Sequence, residues 1–234
     1  MWLVNSSIGR KVIMSLSGLF LIVFLLVHLS VNMLMYVSPE AFGLGCLFME
    51  TPVVMALVPV LALGFVVHII YAFILNARNL KARGSAKYAG GSKTDVTIAA
   101  KNMTALGVIV LGGLAFHLTG FWYEMQLQHI LGNEAYPSLI EQGVALYNGE
   151  GELIAPYLLA KEYFTNPLVA IVYLVWIAAL WFHLSHGFWS AFQTLGLNNR
   201  VWFARWNMIG LILATAVCLG FASFPIAFLT GILA

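Results

Sequence analysis

The chain has 234 residues, 62% of them hydrophobic and only 9% charged, with a net charge of +2. A mean hydropathy of +0.92 lies far outside the range of soluble globular domains, and so little charge gives no basis for a nucleic-acid partner. Composition therefore predicts an all-α integral membrane protein, read as one domain over residues 1–234.

A helix needs ~20 apolar residues to cross the hydrocarbon core of a bilayer. Stretches free of Asp, Glu, Lys and Arg predict transmembrane helices at about 12–38, 51–77, 102–123, 167–193 and 206–231. Arg10 and Lys11 precede the first apolar run, which is too long for the core of a signal peptide and lacks a small-residue cleavage site; it reads as the first span. Ser6 or Ser7 is the candidate cap at its start. A short outer link, Pro39 to Glu50, makes the first two spans antiparallel neighbours. Thr51-Pro52 and Asn166-Pro167 are helix starts, a capping residue followed by a proline whose missing N–H costs nothing there. Pro59 is expected to kink the second span. The loop from Arg78 to Lys101 carries six positive charges and reads as a positive-inside loop or a docking surface for a soluble partner or anionic lipid. Residues 124–162 form a long acidic loop with short helical pieces covering the mouth of the bundle. Cys46 and Cys218 stand alone, outside any heme-attachment or zinc spacing.

Charge is strongly sided. Arg10, Lys11, Arg78, Lys81, Arg83, Lys87, Lys93, Lys101, Arg200 and Arg205 fall at one end of the spans and Lys161 alone at the other, where eight of the nine acids also lie. The positive-inside rule then puts the N-terminus in the cytoplasm and the C-terminus outside.

Five of the six histidines lie in spans: His28, His68, His117, His183 and His186. An imidazole in hydrocarbon is costly unless it is paired, lines a cavity or holds a metal. At ~1.5 Å rise per residue, His28 and His117 lie ~25 Å from the basic end of their helices, and His68 and His183 ~15 Å from it. In an up-down-up-down bundle helices one and three oppose each other, as do two and four. Each depth thus receives one histidine from each of two opposed helices, the arrangement a bis-histidine heme needs. Gly64, Gly113 and Ala179 stand four residues before His68, His117 and His183 and would leave room for a flat macrocycle; Phe24 before His28 breaks the pattern. His186 shares a face with His183, and depth leaves the choice between them open. Neither His-Glu-x-x-His nor any carboxylate within a predicted span supports a zinc enzyme.

Several motifs carry a resemblance: Ser6-Ser7-Ile8-Gly9-Arg10-Lys11, Val27-His28-Leu29, the His68 helix, Phe116-His117-Leu118 and, most specific, Phe182-His183-Leu184-Ser185-His186-Gly187-Phe188-Trp189-Ser190. Together they resemble the diheme cytochrome b membrane anchor of the succinate dehydrogenase and fumarate reductase family, the type with one five-helix subunit. The resemblance implies a bundle of the first four helices around two stacked b hemes. His28 and His117 would hold the outer iron and His68 and His183 the inner one, with His186 supporting. It implies electron transfer between a membrane quinone, menaquinone or ubiquinone, and a flavoprotein with FAD and an iron–sulfur protein docked on the cytoplasmic side. The setting is the bacterial inner membrane, and a dimer of complexes is compatible with it. Trp181 stands where some relatives carry a glutamate associated with transmembrane proton movement. Glu50, beside the Thr51-Pro52 helix start, is the expected acceptor for quinol protons, with Glu124, His129 or a pocket near the inner heme as alternatives. Two other classes remain: the cytochrome b of a hydrogenase or formate dehydrogenase, and a heme-free transporter using the histidines as a proton relay. A quinol–cytochrome c type would need a second histidine ~14 residues along one helix, and none is present.

Overall fold

A computed structural model describes residues 6–83 and 98–233. The first helix, α1 (Ser7–Asn32), continues through a tighter turn at Met33–Tyr36. Ser6 is its cap, accepting from the Gly9 N–H at 2.9 Å. Ser38 then sits in extended backbone and accepts from Ala41 N–H, so α2 (Pro39–Met49) is a helix where the sequence predicts a link. The second span, α3 (Pro52–Arg83), runs through Pro59. Thr51 does not cap it by side chain; its hydroxyl donates back to the Phe48 carbonyl at 2.8 Å.

After α4 (Ile98–Lys101), the third span comprises α5 (Met103–His117), ten π-helical residues Leu118–Leu127 and α6 (Gln128–Leu131). It reaches well past the expected end at residue 123 and takes Glu124 into the helix. Between the third and fourth spans lie α7 (Pro137–Glu141) and α8 (Ala155–Thr165). Asn166 caps α9 (Pro167–Thr194) through the Leu168 N–H at 3.0 Å. Gly196, at φ +78°, ends that helix in the left-handed conformation glycine tolerates. Asn199 then caps α10 (Arg200–Leu229) with bonds of 2.9 Å from Val201 and Trp202 N–H.

Five helical stretches are long and apolar enough to cross a membrane: Ser7–Tyr36, Pro52–Ala82, Met103–Leu131, Pro167–Thr194 and Arg200–Leu229. Val53, Leu63, Leu168 and Ile212 lie exposed along them, apolar surface that water would penalise and lipid accepts. The chain is a multi-pass α-helical membrane protein.

Contacts divide the chain into two compact units, each built from pieces of all five spans. One comprises the described residues of Met1–Leu25, Pro59–Val108 and Ala179–Ala216. Here Phe24 meets Phe65 edge-on at 6.1 Å, and the Trp181 indole donates to Thr215 at 3.0 Å. Phe192 stacks on Trp206 at 3.9 Å, and the Arg205 guanidinium lies over Trp202, the aromatic and basic mixture of a membrane interface. The second unit comprises the described residues of Leu26–Val58, Ile109–Ala178 and Val217–Ala234. Its core joins Met35, Phe42 and Cys46 to Tyr157, Phe164, Tyr173 and Phe228. Gly43 lets α2 lie directly on the Leu153 carbonyl, which a Cβ there would overlap. Most of the loop expected as a docking surface, residues 84–97, lies outside the described residues.

Candidate functional site

In the second unit, α1 supplies His28 and α5 supplies His117. Their rings stand 5.8 Å apart at an interplanar angle of 81°. Phe221 of α10 lies 5.6 Å from His28, while Phe121, Trp176 and Tyr173 surround His117 at 5.4, 5.7 and 6.2 Å. The Tyr173 hydroxyl is 3.4 Å from His117 Nδ1. Trp176 is held in turn by its N–H, which donates to the Val110 carbonyl at 2.9 Å.

In the first unit, His68 from α3 and His183 from α9 form a second pair, with ring centres 6.3 Å apart at 72°. Ser17 of α1 places its hydroxyl 3.3 Å from His68 Nδ1. Gly18 lets the α1 backbone lie close beside the same imidazole, since a Cβ would come within 3.2 Å of His68 Cε1. Gly107 of α5 sits beside His183 in the same way, at 3.6 Å. His183 Nδ1 is buried without a hydrogen-bond partner, as is His186 Nδ1. The His186 ring packs edge-on against Trp189 at 5.0 Å, so it belongs to the side of the pair and not to its middle.

Among the described residues, no three His, Cys, Asp or Glu side chains converge on a metal position. Each pair offers two imidazole nitrogens only, which suits a metal whose remaining positions come from a cofactor. Ring-centre separations of 5.8 and 6.3 Å would leave room for a single metal atom between the two imidazoles of each pair.

Two of the residues four before the histidines, Gly64 and Gly113, lie against aromatic side chains. Gly64 faces the Phe20 ring, 2.7 Å from where a Cβ would stand, and a Cβ at Gly113 would overlap the Trp176 indole. Those hollows are filled by aromatic side chains. The glycines that face imidazoles are Gly18 and Gly107, which sequence reasoning missed because they lie on helices other than those of the histidines they face. Ser17 and Tyr173 were missed too; the available signal was a polar side chain inside a charge-free span.

Of the acids singled out for a quinol, Glu124 is buried and accepts from Ser138 N–H at 3.0 Å and its hydroxyl at 2.9 Å. It closes the start of α7, and its oxygen is committed. Glu50 ends α2, half-buried, and burial holds its carboxyl above the usual range while His129 nearby pulls it back. His129 itself is exposed. Comparison with protein-family models, curated proteins and solved structures finds no match for this chain.

Proposed function

We propose that this chain is the membrane anchor and electron-transfer subunit of a succinate:quinone or quinol:fumarate oxidoreductase, holding two b hemes. The observation that carries the reading is the meeting of four histidines from four different helices as two pairs, at 5.8 Å and 6.3 Å. His28 and His117 would hold the outer group, and His68 and His183 the inner one. Heme iron with imidazole on both sides exchanges one electron and leaves no position open for dioxygen or substrate. The chain's own contribution is to fix the imidazoles, exclude water with Phe121, Trp176 and Phe221 around the outer pair, and keep charge out of both cages. His186 stands beside the inner pair, where it can hydrogen-bond a propionate or a neighbouring helix.

Glu50 is the proton acceptor of this reading for a membrane quinol, menaquinol or ubiquinol, oxidised near the outer pair. It precedes α3, where a helix N-terminus favours a carboxylate, and unlike Glu124 it is not tied to a capping role. The sided charge supports a bacterial inner membrane location with the N-terminus in the cytoplasm. The flavoprotein and iron–sulfur partners would meet the basic end. A reduced-minus-oxidised spectrum of the purified full chain, with heme extracted and counted, tests the reading: two low-spin b hemes per chain are expected, and a chain without heme would refute it in favour of a proton relay.

A further inference from the structure

We propose that Ser17 positions His68 for ligation by fixing its tautomer, with the proton on Nδ1 and the bare lone pair on Nε2. This rests on the heme reading above and assigns a further residue to it. Ser17 has one hydroxyl proton, and it is used: the hydroxyl donates to the Met14 carbonyl at 3.0 Å, one turn back on α1. With that bond made, the serine oxygen is left to accept from His68 Nδ1, 3.3 Å away. In that arrangement Nδ1 carries the hydrogen, which leaves Nε2 unprotonated, the form a metal takes. The chain Nδ1–H to Oγ–H to carbonyl runs in one direction, so each bond polarises the next and strengthens the serine oxygen as an acceptor.

Gly18 makes the contact feasible. A side chain there would press on His68 Cε1 and push the imidazole away from the neighbouring serine. Ser17 and Gly18 thus form one cradle, a hydroxyl against the ring nitrogen and a bare backbone against the ring carbon. His183 across the pair has the matching glycine, Gly107, but its Nδ1 has no hydrogen-bond partner. The two imidazoles of this pair are consequently unequal, one held by a directed hydrogen bond and the other by packing alone. A donor bond from Nδ1 also raises the basicity of Nε2 and favours the more positive oxidation state of a bound metal.

The test uses the full chain in detergent with isotope-labelled histidine, read first without heme by long-range proton–nitrogen correlation spectra. His68, assigned by its loss in His68→Gln, should show a single Nδ1–H tautomer. Ser17→Ala should relax it to a mixture, while Ser17→Thr, which keeps the hydroxyl, restores it. An Nε2–H tautomer in the wild type, or no change in Ser17→Ala, overturns the proposal whatever heme does. The second measurement reconstitutes heme into His117→Ala, which retains only the inner pair. There Ser17→Ala should weaken heme retention by about 10-fold or more and raise the reduction potential; unchanged retention and potential would again refute the role of Ser17. If the wild type binds no heme while the tautomer result holds, the heme reading of the preceding section fails and the serine–imidazole bond stands.

Discussion

His28 and His117, like His68 and His183, are polar side chains in the middle of apolar helices, and what distinguishes them from ordinary bundle histidines is that each meets the other of its pair. The heme reading makes a sharp demand on single substitutions. His28→Ala or His117→Ala should remove the outer heme and leave the inner one, and His68→Ala or His183→Ala should do the reverse, seen as loss of one of two components in a potentiometric titration. Loss of the same component from His28→Ala and His68→Ala would break the pairing. His186→Ala should keep both, since its ring packs on Trp189; loss of the inner heme there would move the ligand by one turn. Glu50 carries a pH signature. Burial holds its carboxyl above the ordinary range, so it takes up a proton where an exposed glutamate is still ionised. As an acceptor it must be ionised, and quinol-linked turnover should fall as pH drops through that raised value. The linkage sign for stability is the opposite: the folded chain prefers neutral Glu50, and its ionisation becomes a cost as pH rises. Glu50→Gln should therefore assemble with both hemes, fold at least as well at neutral pH, and turn over quinol slowly at all pH values. Normal quinol activity in Glu50→Gln would remove it as the acceptor.

At the scale of elements, the apolar spans were legible because backbone polar groups in lipid must be satisfied within the helix, which writes long charge-free runs into the sequence. The start at Asn166-Pro167 was legible for a local reason, an amide side chain placed to accept from the first free N–H groups. What escaped is equally physical. Ser38-Pro39 is the same kind of start, but the apolar run behind it is too short to read as a span, so α2 was expected to be a link. Glu124 looked like the end of the third span, yet the helix passes through it because Ser138 donates twice to its carboxylate. The π-helical turns from Leu118 widen the helix immediately after His117, a register change that periodicity cannot show and that is often found at functional sites. At Gly113 a Cβ would overlap the Trp176 indole, so the glycine makes room for that ring. Gly113→Ala should accordingly force Trp176 off the Val110 carbonyl and away from His117, at a cost of about 1–3 kcal/mol if the helices cannot separate. In the spectrum only the outer component should shift. A change in the inner component instead would mean that Trp176 does not belong to the outer cage.

At the scale of the whole chain, each compact unit carries one histidine pair, and the charges sort with the units. Among the described residues, Arg10, Lys11, Arg78, Lys81, Arg83, Lys101, Arg200 and Arg205 all belong to the unit with His68 and His183, which holds no described Asp or Glu. Glu40, Glu50, Glu124, Glu134, Glu141, Glu150, Glu152 and Glu162 all belong to the unit with His28 and His117, beside the single Lys161. On the proposed reading, with the basic unit facing the cytoplasm, the soluble electron-transfer partner would meet the unit that carries His68 and His183, where the exposed charged side chains are cations. Lys11, Arg78, Lys81, Lys101 and Arg200 are exposed. Exposed charges attract over about 8–10 Å at physiological ionic strength and progressively less as salt is added. A tagged chain purified from gently solubilised membranes should therefore bring FAD and iron–sulfur protein with it, and raising the salt should release both while the hemes stay. The double substitution Arg78→Gln with Lys81→Gln should lower recovery of flavin at low salt without changing heme content, because both residues lie about 15 Å or more beyond His68 along α3. Equal recovery of flavin at all salt concentrations and in the double variant would mean that the partner docks through apolar contacts instead. Recovery that falls together with heme content would mean that the substitutions damage the fold and would leave no role for these cations in docking.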